Sequence, residues 1–314
     1  MAVRFKNLME LMEVCSSDEK CRTYLELVRW NGSPVCPHCG SQHKNHYELK
    51  VKGVFKGLRK CKDCRERFTV TVGTMFEGSH IPLKKWFIAM YIFASHKKGI
   101  SSHQLAKDLG ISQSSAWFML GRIRHSFSVK MDIKLRGEIQ LDESFIGGRN
   151  KNRHADKKVK ESQGRSVKDK TPVFGVMNEC GVRTIVVPNT QAKTLKPIIE
   201  SMVEKGSIVV TDEWGAYNGL KKNYQHEVIK HNEEQYVNEN GFSTNALEGF
   251  WSLLKRGIFG IYHQVSPKHL SEYCDEFAFR YNTREYPDAD RFTLSLAIAQ
   301  ERITYKEFIG TKAK

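Results

Sequence analysis

The sequence predicts an α/β protein in which a mixed sheet packed by helices follows a small cysteine-bearing ribbon and a helical region. Three observations carry this. Two CxxC pairs lie near the N-terminus, an almost continuously apolar helical stretch follows from Ile81, and beyond Gly137 β-branched runs alternate with amphipathic segments. The expected regions are 1–75, an N-terminal helix and ribbon; 76–132, helical; and 133–314, the α/β region.

A chain of 314 residues is long enough for two domains and a third small one. Fifty Lys and Arg face 35 acidic residues, a formal charge of +15. The first partner to consider is a polyanion such as nucleic acid, with a basic enzyme of other substrate as the plain alternative. No stretch has the length and apolarity of a membrane span, and MAVRFKNLMELMEV lacks the apolar core of a signal peptide, so a cytoplasmic, nucleoid-associated protein is expected.

In the first region, Ser16-Ser17-Asp18-Glu19 starts a helix carrying Tyr24, Leu25 and Val28. Cys36-Pro-His-Cys39 and Cys61-Lys-Asp-Cys64 follow, with 21 residues between the pairs. Each pair offers two thiolates from one tight turn, and two such turns complete a closed tetrahedral site, the arrangement of a structural zinc ribbon. A redox CxxC would stand alone beside a βαβ unit. His38, His43 and His46 share the segment and are possible replacement ligands, whereas Cys15, Cys21, Cys180 and Cys274 read as ordinary buried thiols. The ribbon is expected to close on an alternating strand, Phe68 to Val72.

In the second region, Pro82 opens a helix through LKKWFIAMYIFASHK, apolar nearly all round and therefore buried. Ser101 with Gln104 forms a capping box, Gly110 closes that helix, and Ser112 caps another bearing Ala116, Met119, Leu120, Ile123 and Phe127 on one face. The pair is a helix-turn-helix candidate, although plain bundles contain such pairs too. Arg122, Arg124, His125 and Lys130 suit phosphate contacts.

The third region reads as strand EIQLDESFIG, the hairpin PVFGVMNEC and VRTIVVPN, helix TLKPIIESMVEKG, strand SIVVTDEW, short strand HEVIKH and two closing helices. That is the ribonuclease H order, parts of which many α/β domains share. Between the first two strands, NKNRHADKKVKESQGRSVKDK is polar and lysine-rich, a solvated insertion with DNA contact as the lesser reading.

Three carboxylates stand out. Asp142 lies inside a strand, where a carboxylate must be paired, protonated or metal-bound. Asp212 ends a strand at the edge where open sheets place ligands. Glu248 lies on TNALEGFWSLLKRG, whose Leu247, Phe250, Trp251, Leu254 and Ile258 make an apolar stripe while Asn245, Glu248, Ser252 and Lys255 fall on another face. Taken alone, that helix is an ordinary amphipathic one. Thirty-five residues separate Asp212 from Glu248, and Asp142 lies 70 positions before Asp212.

With this spacing, QLDESFIGG, VVTDEWGAY, STNALEGFWSLLKRGIFGIYHQVSPKHLSEYCDEFAFRYNTR, CPHCG and CKDC together resemble the DDE transposases of bacterial insertion sequences, in the zinc-ribbon-bearing, ISXO- and Merlin-like branch. The resemblance spans roughly residues 16 to 285. It implies a ribonuclease H-like domain with Asp142, Asp212 and Glu248 holding two Mg²⁺ or Mn²⁺ ions, and Asn245, Lys255 and Arg256 beside them. Glu276 is a reserve carboxylate, and Glu213 is the residue that would exchange roles with Asp212. The implied activity is cleavage at terminal inverted repeats and strand transfer into target DNA by a homo-oligomer. A regulator derived from such an enzyme, and a nuclease or resolvase without strand transfer, are the alternatives. His263 and His269 fit structural roles, Trp214 and Tyr217 pack after Asp212 or stack on a base, and Arg280 and Arg284 serve ion pairs or phosphate.

Overall fold

The computed structural model describes residues 5–128, 133–148, 154–160, 166–230, 233 and 236–310. The chain divides into two compact units, Met1–Val129 with Glu285–Lys314, and Lys130–Arg284.

The first unit opens with α1 (Leu8–Val14), which the sequence reading did not anticipate, and α2 (Asp18–Trp30). Ser17 starts α2 as expected, its hydroxyl accepting the Lys20 N–H at 3.3 Å. Strands β1 (His46–Val51), β2 (Val54–Cys61) and β3 (Arg67–Phe68) form an antiparallel sheet in that order. The expected strand to Val72 is not formed. Arg29 Nη1 donates to the carbonyls of Val70 and Val72, both at 2.7 Å, and Thr69 bonds Thr71 side chain to side chain at 2.8 Å. These contacts replace a ladder with a turn, and alternation alone could not reveal a guanidinium 41 residues upstream.

Helix α3 (Leu83–Ser95) is buried through Trp86, Phe87, Met90 and Phe93. In α4 (Ser102–Leu109) only half of the capping box forms: Ser101 accepts the Gln104 N–H at 3.1 Å, but Gln104 turns its amide to Asp108 at 2.7 Å. Gly110 adopts φ 57°, the left-handed turn between α4 and α5 (Gln113–His125). Two members of the basic run on α5 are turned to the interior and do not serve phosphate contacts. Arg122 is buried and donates to the carbonyls of Met75, Glu77 and Ile303, and Arg124 is buried over the Phe93 ring; Lys130 lies outside the described residues.

The α/β region was expected to reach residue 314, but the sheet unit stops at Arg284. The last helices, α9 (Asp288–Ala297) and α10 (Tyr305–Ile309), bring apolar anchors to the first unit. Phe292 meets the rings of Phe5 and Phe87 with centroids 5.5 Å apart. Phe308 packs against Trp117 with ring centroids 4.7 Å apart and planes tilted by 59°, and it fills the space over Gly121, where a Cβ would come within 2.4 Å of it.

In the second unit β4 (Glu138–Ile146), β5 (Thr171–Asn178) and β6 (Gly181–Val186) form an antiparallel meander, and β7 (Ile208–Asp212) and β8 (Gln225–Ile229) add parallel on the other side of β4. The order β6-β5-β4-β7-β8 is the ribonuclease H arrangement. Helix α6 (Ala192–Met202) covers one face with Leu195 and Ile199, over Ile139, Leu141, Phe174 and Val209. Helices α7 (Asn245–Gly257) and α8 (Leu270–Asn282) cover the other through Leu247, Phe250, Trp251 and Phe277. Of the polar insertion, residues 150–153 and 161–165 lie outside the described residues. Among the described residues no helix is long and apolar enough to cross a membrane.

Candidate active site

Strand periodicity decides which side chains of β4 share a face. Gln140, Asp142, Ser144 and Ile146 alternate with Ile139, Leu141 and Glu143. The Gln140 side chain accepts the Leu247 N–H at the start of α7, at 3.2 Å, and the Trp251 indole N–H donates to Asp142 Oδ2 at 3.0 Å. Asp142 therefore points to the α7 face. Glu143 points the other way and accepts the hydroxyl proton of the fully buried Tyr217.

The parallel ladder between β4 and β7 ends with Gln140 opposite Val210. Two residues further along each strand stand Asp142 and Asp212, on neighbouring strands and on the same face, at the edge where the pairing stops. Asp212 Oδ1 accepts the Trp214 N–H at 3.0 Å, the turn that takes the chain out of the sheet. Glu213 is exposed and its charge acts on Lys230. On α7, Glu248 is exposed in the first turn and accepts the Thr244 hydroxyl at 3.1 Å.

Electrostatics links the three carboxylates. Burial pushes the Asp142 carboxyl up to about 6, its own neighbour's backbone N–H opposes this, and the negative charges of Asp212 and Glu248 raise it further. Their ligand atoms are not drawn to one point, because among the described residues the four ribbon cysteines alone bring three or more metal-donor side chains to such distances. Lys255, one turn beyond Trp251, is half-buried, which lowers its proton affinity, while the Asp142 charge acts to raise it. Asn245 and Arg256 are exposed, and Arg256 Nε donates back to the Ser252 carbonyl at 3.2 Å.

Glu276 is not part of this group. It lies fully buried between Arg280, with which it pairs, and the Tyr262 hydroxyl, which donates to it. The i, i+4 spacing on α8 makes that pair, and a carboxylate so committed is not open to a metal ion. Arg284 bonds the Tyr281 carbonyl at 2.8 Å, and His269 faces Glu272 at 3.5 Å, both local structural contacts. Trp214 is 42% exposed with its indole N–H on the Thr190 carbonyl at 3.2 Å.

In the first unit the Sγ atoms of Cys36, Cys39, Cys61 and Cys64 all lie within 4.8 Å of one another, with Cys36–Cys64 and Cys39–Cys61 both at 3.7 Å. Four thiolates on zinc at about 2.3 Å, placed tetrahedrally, stand about 3.8 Å apart, so the spacing fits that ion. Gly40, at φ 74°, donates its N–H to the Cys36 carbonyl at 2.9 Å and makes the first knuckle. Burial raises the Cys61 thiol, but N–H groups of the second knuckle and the neighbouring thiols bring it down to about 7. His38 turns away to the Arg67 carbonyl, and the side chain of His43 lies outside the described residues.

The sequence reading missed Trp251 and Gly175. Trp251 lies on the apolar stripe of α7, where periodicity alone reads it as core; its place three residues after Glu248 is the signal that it borders the carboxylates. Gly175 pairs with Asp142 across β4 and β5.

Residues 134–282 match the model of the ISXO2-like transposase domain, and residues 16–67 match that of the transposase zinc-ribbon domain. The chain is 34% identical over 108 residues to an uncharacterized transposase-like protein of Haemophilus influenzae, covering 34% of this chain and 85% of that one. It is 25% identical over 276 residues to an uncharacterized protein in transposable element ISH50 of Halobacterium salinarum, covering 84% of this chain and 90% of that one. A solved pre-cleavage Mos1 transpososome aligns over 65% of this chain and 75% of its own at 16% identity, with a TM-score of 0.24, too low to bear on the fold. With its ribonuclease H topology and four-cysteine ribbon, the chain belongs to the zinc-ribbon-bearing, ISXO2-like family of transposases.

Proposed function

We propose that the second unit cuts and joins DNA strands, with Asp142, Asp212 and Glu248 holding Mg²⁺ or Mn²⁺ ions, and that the first unit binds the terminal inverted repeats of the element. The observation that carries this is the placement of Asp142 and Asp212 at the end of the β4–β7 ladder, with the Glu248-bearing helix bonded to Asp142 through Trp251. A buried Asp142 carboxylate acted on by the charges of Asp212 and Glu248 is costly to ionise unless a hard divalent cation shares the oxygens, so the donor set fits such ions. Bound there as a pair, they would activate an attacking oxygen and stabilise a leaving one in an in-line displacement at phosphorus.

The chain's own residues do the rest. The Glu143 N–H, at 2.8 Å from Oδ1, and the Trp251 N–H, on Oδ2, hold the Asp142 carboxylate in one orientation. Lys255 supplies positive charge beside it for a DNA phosphate, and the exposed Arg256 and Asn245 border the strand's path. Water frees a 3′-hydroxyl at the element end, and that hydroxyl attacks target DNA; no nucleophilic side chain is required. Zn²⁺ on the four thiolates holds the ribbon. Base reading falls to the first turn of α5, where Ser112, Gln113 and Ser114 are exposed as the leading residues of a recognition helix are. A homo-oligomer brings two ends together for joining.

Asp142→Asn and Asp212→Asn should each abolish Mg²⁺-dependent cleavage of repeat-end DNA while binding of that DNA persists. Cleavage at the wild-type rate in either variant would overturn the assignment.

A further inference from the structure

We propose that Trp251 is a positioning residue for the metal site, and that Gly175 exists to admit its ring. The inference rests on the metal role proposed for Asp142. Trp251 is 4% exposed and stands three residues, about one turn, beyond the exposed Glu248 on α7. Its indole N–H reaches Asp142 Oδ2 at 3.0 Å, across 109 residues of chain.

The ring fits there because position 175 has no side chain. Gly175 sits directly opposite Asp142 in the β4–β5 ladder, and a Cβ on it would come within 2.5 Å of Trp251 Cζ2 and 3.0 Å of Leu247 Cδ1. Its φ lies outside the left-handed region, so backbone freedom does not require glycine here. Space for the indole does. Alanine at 175 would push the ring away from the sheet, and its N–H with it.

The chemistry of the donor matters. An indole N–H gives one hydrogen bond, accepts none and carries no charge. It can therefore fix one carboxylate oxygen while leaving that oxygen's second lone pair and the full negative charge for a cation. A lysine or arginine in its place would neutralise the carboxylate and compete with the ion. Because the same helix carries Glu248, the bond also ties the third carboxylate to the strand bearing the first.

The test is Mn²⁺ binding to the full chain, measured by calorimetry and electron paramagnetic resonance in wild type, Asp142→Asn, Trp251→Phe and Gly175→Ala. Trp251→Phe keeps an aromatic ring at this position but removes the N–H together with part of the indole's volume; Mn²⁺ affinity should fall roughly tenfold to a hundredfold, as when other supporting partners of metal ligands are removed. Gly175→Ala should do the same with the tryptophan still present. Folded Trp251→Phe with wild-type Mn²⁺ affinity would overturn the inference. A wild-type chain that binds no Mn²⁺ in an Asp142-dependent way would instead overturn the proposed function beneath it. Should Trp251→Phe and Gly175→Ala fail to fold, the indole N–H resonances of the five tryptophans decide: Asp142→Asn must move the one broadened most by Mn²⁺ in wild type, and its staying in place would refute the bond.

Discussion

Replacing Asp142 with asparagine is expected to make the metal-free protein more resistant to unfolding at neutral pH. The carboxyl is raised from 3.8 to about 6 by burial and by Asp212 and Glu248. A shift of about 2 units at about 1.4 kcal/mol each means that ionised Asp142 costs the folded state up to about 3 kcal/mol. Asparagine removes that cost. It also sets its NH₂ against one of the two N–H donors now held by Asp142, which takes back about 1–2 kcal/mol. A net gain of about 1–2 kcal/mol remains. A raised carboxyl contributes stability that is fully present below the unfolded pKa and is lost as pH rises through the folded one. The advantage of the variant should accordingly shrink on acidification, by about half of the 3 kcal/mol term between pH 7.5 and 5. Urea unfolding in EDTA, with wild type and variant compared at each pH, isolates this difference from every other titrating group. Saturating Mg²⁺ should stabilise wild type alone, by about 2.7 kcal/mol at a hundred times Kd. A pH-independent difference between the two proteins would refute the reasoning.

Cys36→Ser should lower bound zinc below one ion per chain by elemental analysis and loosen the ribbon; full zinc content would contradict a four-thiolate site. Arg280→Met strands the buried Glu276 and should cost about 3–5 kcal/mol in denaturant unfolding. Glu276→Gln should leave Mn²⁺ affinity unchanged, and loss of binding would return that carboxylate to the site. On the DNA-binding side, Gln113→Ala should weaken binding to repeat ends relative to unrelated DNA. Arg122→Ala should instead lower stability, by on the order of 3 kcal/mol, without changing the salt dependence of binding.

What was legible in the sequence was local or periodic. The CxxC spacing announced the ribbon, Pro82 and Ser112 announced their helices, and the run around Asp142 placed it inside a strand. The strand order was readable because each strand is a separate β-branched run. Long-range partners were not readable. Arg29 ends the ribbon sheet early from another element, and Arg122 looks like surface charge until three carbonyls are found around it. Phe292 and Phe308 have ordinary helical spacing, yet they return the last 30 residues to the first unit. Trp251 is apolar in any periodicity count, and only its indole N–H, aimed across the sheet, sets it apart.

The central claim is that this chain joins DNA strands through a carboxylate site. Purified protein incubated with radiolabelled repeat-end DNA, a target plasmid and Mg²⁺ tests it most directly. An end cleaved to a 3′-hydroxyl and then covalently joined to the plasmid is expected, with both products absent from Asp142→Asn. Cleaved ends that never join would mark a nuclease, and joining that survives in Asp142→Asn would contradict the site itself.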